Sequence, residues 1–148
     1  MKLKFKEAMP MSGCFKMRVY QGGELIETFE DKNLIVSTAR DAAAKLIAGN
    51  GEGKRIAKIA FGTNGNIPTP DDTEITAPFV KELSGVSFPV LGQAEFSWKL
   101  AASEANGKAI IEFGLLCEDG TLWARKIRTH AIIKAHDISL EGEWLINH

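Results

Sequence analysis

Apolar and polar positions alternate through most of this chain, with the period of two that a strand buried on one face produces. From Cys14 to Tyr20, Phe15, Met17 and Val19 alternate with Lys16 and Arg18, and a second extended run passes through Leu25-Ile26-Glu27-Thr28-Phe29. Gly22-Gly23 between them predicts a tight hairpin. After Asn33-Leu34-Ile35-Val36 the period changes. Ala39, Ala42, Ala43, Leu46 and Ile47 recur at helical spacing, Thr38 and Asp41 stand as in a capping box, and Gly49 marks the stop. This predicts one buried helix near residues 38–48, with small alanines that allow close approach to a sheet.

Gly49 to Lys54 reads as a loop, 56–61 as a strand, and Gly62 to Thr76 as a long exposed loop, because Gly62, Asn64, Gly65, Pro68, Pro70, Asp71 and Asp72 gather there. Farther on, Ala94, Phe96, Trp98 and Leu100 share one face of a strand while Glu95, Ser97 and Lys99 share the other. Asn106-Gly107 and Asp119-Gly120 predict two more turns, flanking a run in which Ile111, Phe113, Leu115 and Cys117 face one way. Extended runs at 122–127 and 138–146 complete a meander. The expected class is α+β: a mainly antiparallel sheet, sandwich- or barrel-like, with one packed helix, residues 1–148 forming a single domain.

Composition narrows the function classes. A chain of 148 residues suffices for one ordinary core, and 45% hydrophobic with 25% charged residues fits neither a disordered nor a membrane-embedded class. The 18 basic and 19 acidic residues leave a net charge of -1, so no global field draws a phosphate backbone, and nucleic-acid binding is not expected. Apolar stretches are far short of the roughly 20 residues of a membrane-spanning helix. Met1-Lys-Leu-Lys-Phe-Lys-Glu7 alternates charge with apolar residues and lacks the apolar core of a signal peptide. Cys14 and Cys117 read as two free thiols in a reducing compartment.

Candidate chemistry is sparse. Gly49, Gly51, Gly53 and Lys54 suggest a phosphate loop, but Ala48 stands where its first glycine belongs and Arg55 where its hydroxyl belongs. His130 and His136 can share a strand face, yet the neighbouring carboxylate, Asp137, points to the opposite one, and zinc needs three or four ligands. Both cysteines lie in apolar alternation, where a thiol behaves as a small hydrophobe. Asp71, Asp72 and Glu74 lack the spacing of a calcium loop. The cluster Arg125-Lys126-Ile-Arg128 beside Trp123 has the ingredients of a single-strand nucleic-acid platform, but Arg125 and Lys126 face opposite ways. No cofactor, metal or catalytic residue is expected.

The order of signals carries a resemblance. A capped alanine-rich helix precedes Lys58-Ile-Ala-Phe-Gly-Thr63, then Pro68-Thr-Pro-Asp-Asp-Thr73, a meander, and Glu112-Phe-Gly-Leu-Leu-Cys-Glu-Asp-Gly-Thr-Leu-Trp-Ala-Arg125. This resembles bacteriophage and prophage tail structural proteins, particularly the N-terminal domains of tail-collar and tail-fibre proteins, which carry "IxxIAxGxG", "PTPxDTxL" and "EIGLFDxDGTLxAR" patterns. Phe113 stands where isoleucine is usual and Cys117 where an acid is common. The likeness runs from the helix to Trp144-Leu-Ile146, making residues 33–148 a tail-protein-like core and 1–32 an N-terminal hairpin extension. It implies a non-enzymatic virion component near a baseplate, collar or fibre attachment. Such a component is made in the host cytoplasm, and its partners are other tail proteins and copies of itself. Candidate subunit contacts are Trp123, Arg125, Lys126 and the loop residues Asn64, Asn66 and Asp72. The rival expectation is a small-ligand or carbohydrate-binding β-domain in which Trp98, Trp123 or Trp144 stacks on a ring, although Trp98 and Trp144 fall on core-patterned faces.

Overall fold

A computed structural model describes residues 11–148; the charged and apolar alternation of residues 1–7 lies outside them. Among the described residues nine strands and one helix follow in the order β1 (Ser12–Gln21), β2 (Glu24–Ile35), α1 (Ser37–Ile47), β3 (Ile56–Gly62), β4 (Phe79–Glu82), β5 (Gly85–Ser87), β6 (Gln93–Leu100), β7 (Ala109–Cys117), β8 (Leu122–Ile133) and β9 (Ile138–Asn147). They form one antiparallel sheet in the order β4-β3-β7-β8-β2-β1-β9-β6-β5. The expected α+β architecture is what forms. Among the described residues no helix is long and apolar enough to cross a membrane.

The sheet's two end strands are consecutive pieces of chain. Only Leu83 and Ser84 separate β4, paired with β3, from β5, paired with β6. The Leu83 amide donates to the Ala57 carbonyl (3.0 Å) and the Ser84 amide to the Ser97 carbonyl (2.8 Å), so this segment passes from one edge to the other. The sheet therefore curls into an open barrel around one core. Phe15 stacks on Trp98 at 5.5 Å between ring centroids, and Phe61, Phe113 and Trp144 meet them edge-on or tilted. Gly142 in β9 makes this packing possible, since a Cβ there would overlap the Lys16 carbonyl oxygen and stand 2.6 Å from Trp98 Cζ2.

Three local expectations are corrected. Thr38 and Asp41 make no capping box: the Thr38 hydroxyl donates to the Leu122 carbonyl of β8 (2.6 Å), and no side chain caps the helix. Docking on the neighbouring strand takes the hydroxyl away from its own turn. The inward residue at the start of β7 is Ile110 rather than Ile111, because a bulge between Ile110 and Glu112 shifts the alternation by one. Finally, only Ala39 and Ala42 of the helical stripe are fully buried, whereas Leu46 and Ile47 are exposed. The stop at Gly49 does occur, with φ +76, and the Gly49 and Asn50 amides return to the Leu46 and Lys45 carbonyls in a Schellman arrangement.

Candidate functional site: a pinned loop and an apolar groove

The predicted loop from Gly62 to Thr76 is long, but ions hold it to the sheet. Glu112 of β7 and Arg125 of β8 lie on the face opposite the aromatic core and are both buried, Glu112 completely and Arg125 at 2% exposure. The Arg125 Nε donates to Glu112 Oε2 (2.5 Å), its Nη1 to Asp72 Oδ2 (3.0 Å) and its Nη2 to the Asn64 carbonyl (2.8 Å). The other oxygen of Glu112 accepts the amides of Asn64 (3.1 Å) and Thr76 (3.0 Å). Asp72 also accepts from the amide and hydroxyl of Thr69. Burial works to raise the Asp72 carboxyl, but the Thr69 bonds and the guanidinium outweigh it and hold it below its ordinary value. Ile75 of the same loop is buried and closes a second small core with Val36, Ala60, Leu116 and Leu122.

These contacts engage both Glu112 oxygens and the three Arg125 nitrogens. Such an arrangement fixes backbone; the groups are turned toward one another rather than toward a cavity. Of the six candidate contact residues, Arg125, Asp72 and Asn64 thus come together as this clamp. Asn66 is exposed at the loop, its amide donating to Asn64 Oδ1. Lys126 points the other way, pairing with Asp31 at 2.7 Å and lying 5.7 Å over the Phe29 ring, while Arg128 reaches Glu27. Trp123 is buried at 3% exposure, and Trp98 and Trp144 are buried in the aromatic core, so none of the three presents a broad face to solvent.

Lys134 is the other buried cation among the described residues. Its ammonium donates to the Ala102 and Ala135 carbonyls and to Asn106 Oδ1, securing the connection from β6 to β7, and burial pulls its pKa down. His130 and His136 are both exposed. Cys14 and Cys117 are free thiols; burial pushes Cys117 up to about 11, away from thiolate chemistry.

The second feature is apolar and open. Between the C-terminal half of α1, the start of β3 and the strands β5 and β6 lies a cavity of about 430 Å³. Core side chains Phe96, Trp123 and Ile146 reach it from within, and Leu46, Ile47, Val86 and Phe88 stand around its mouth. Beside it, the connection Phe88-Pro89-Val90-Leu91 between β5 and β6 is exposed. Sequence reasoning passed over this connection and over Glu112's burial. The signals were an uninterrupted apolar run from Phe88 to Leu91 ending at Gly92, and an acid set within Ile110-Ile111-Glu112-Phe113.

No protein-family model matches this chain, and comparisons with curated proteins and with solved structures found no match.

Proposed function

We propose that this chain is a non-enzymatic structural subunit of a phage or prophage tail, near a baseplate, collar or fibre attachment, working through contacts between subunits in a symmetric oligomer. One observation carries the reading: the acids and the arginine of the tail-like motifs, Glu112, Asp72 and Arg125, are used up in bracing a loop, while large apolar side chains are left on the outside. A part whose work is to hold shape and dock needs that distribution. The Asp119-Gly120 turn that follows Glu112 in the same motif is braced likewise, by Lys54 on Asp119 and Arg55 on Glu118. Mass spectrometry of particles purified after prophage induction in a strain carrying the gene tests the proposal. The chain is expected among the tail components; particles that lack it refute the assignment.

The groove gives a second reading some support, since its volume falls within the roughly 300–1,000 Å³ of small-ligand sites and its lining is apolar. In that case Trp123 fluorescence shifts when an apolar or carbohydrate ligand binds. A screen of both ligand types that leaves the emission unmoved removes it.

A further inference from the structure

The apolar groove and the apolar loop beside it are a socket and a plug on one surface. Phe88 borders both, so the two are contiguous. Ile47 is 88% exposed, Phe88 74%, and Leu91 is wholly exposed, with Leu46, Val86 and Val90 completing the patch. At these exposures the six side chains offer roughly 700 Å², more than the largest patch of about 300–600 Å² on an ordinary monomer and near the ~800 Å² each partner contributes to a standard interface. The floor is made of core side chains, so an occupant completes the barrel's own packing. Among the lining residues only Arg55 and His148 carry a basic group, and Arg55 is already paired with Glu118, which leaves a charged ligand little to hold.

We propose that a second copy of this chain covers the groove, the Phe88–Leu91 loop of each copy lying in the socket of the other about a twofold axis. Adjacent plug and socket favour this arrangement, because one rotation between them satisfies both sites at once. The short strand β5, which pairs with β6 alone, lies at the same border and brings an open strand edge to it. This inference rests on reading the chain as a self-associating subunit, and it specifies the surface.

Sedimentation equilibrium of the full chain across the micromolar range tests it. The wild-type chain is expected to dimerise, and Phe88→Glu with Leu91→Glu on the plug, or Ile47→Glu on the socket rim, to weaken the dimer by more than about a hundredfold, as loss of central apolar anchors does. All three side chains are exposed, so unchanged circular dichroism should accompany the loss. Ile67→Glu, equally exposed on the pinned loop and outside the groove, should leave the dimer intact. A wild-type chain that stays monomeric overturns both the inference and self-association, and leaves the groove to another molecule or to residues 1–10. An oligomer indifferent to the plug and rim variants overturns the inference alone, and a sensitive trimer or larger ring overturns the twofold arrangement.

Discussion

The clamp under the Gly62–Thr76 loop makes a prediction whose sign separates a structural ion pair from an incidental one. In Arg125→Met the apolar stem of the side chain is kept and the guanidinium lost. Glu112, with no exposure at all, then holds a carboxylate whose Oε2 has no partner, the Asn64 carbonyl loses its donor, and Asp72 keeps only its Thr69 bonds. Removing one member of a buried pair costs about 3–5 kcal/mol, because the other charge stays desolvated. For a chain of this size each kcal/mol moves the melting temperature by roughly 2–4 °C, so a fall of about 10–15 °C is expected. Adding Glu112→Gln removes the stranded charge but keeps an acceptor for the Asn64 and Thr76 amides. The double variant should therefore recover to within about 1–2 kcal/mol of wild type, the scale of the neutral hydrogen bonds still missing. Urea unfolding followed by tryptophan fluorescence gives the stabilities, and hydrogen exchange at the Asn64 and Thr76 amides reports the loop. An Arg125→Met protein within about 1 kcal/mol of wild type, or a double variant no more stable than the single, refutes the reasoning.

Three further outcomes follow from the geometry. Asp31, Asp72, Glu104 and Glu143 are all held below their ordinary values of 3.8 for aspartate and 4.5 for glutamate. The leading causes are the Lys126 hydrogen bond for Asp31, the Lys81 bond for Glu104 and the Arg18 bond for Glu143, while at Asp72 the Thr69 and Arg125 bonds overcome burial. Because the unfolded chain takes up these protons first, stability is full above about pH 5 and falls as pH drops below about 4.5; a urea midpoint at pH 3 as high as at pH 6 contradicts this. Gly142→Ala forces a Cβ into the Lys16 carbonyl and Trp98, and since backbone cannot yield there, thermal unfolding should show a loss of about 3 kcal/mol, against near-neutrality if β1 and β9 can part. In native protein a thiol reagent should modify only Cys14, and that slowly, because burial and then Glu30 raise its pKa. Cys117, wholly buried, should react only after urea is added, so rapid titration of two thiols in the native state argues against the core as described.

Strand content was legible where one face is wet. In β1 and β6 the alternation Phe15-Met17-Val19 and Phe96-Trp98-Leu100 maps directly onto buried positions. It failed in β7, where every residue from Glu112 to Cys117 is buried, one set against the aromatic core and the other beneath the pinned loop. With both faces covered, period two has no polar partner to mark the register, and a bulge that moves the inward position from Ile111 to Ile110 leaves no trace in composition. The clamp was hidden for a different reason. Glu112 and Arg125 meet because the Asp119-Gly120 turn sets β7 against β8, whereas Asp72 arrives from a loop whose prolines and glycines say only that it is irregular. Local pattern identifies a turn, but not what the loop folds back upon.

The helix shows the same limit from the opposite side. Periodicity grouped Ala39, Ala42, Ala43, Leu46 and Ile47 into one apolar stripe, and a stripe implies that something covers it. The sheet covers Ala39 and Ala42, then falls away, and Ala43, Leu46 and Ile47 border the groove instead. The molecule thus spends its buried ions within and leaves its spare apolar surface without. Replacing a buried ion pair with apolar side chains is often neutral or stabilising, so the Glu112–Arg125 pair is better understood as fixing where the Gly62–Thr76 loop lies than as raising stability. Asp72 and the Asn64 carbonyl are already engaged in holding that loop. The contact surface proposed above is therefore placed at Ile47, Phe88 and Leu91, which are exposed and engaged by nothing within the described chain.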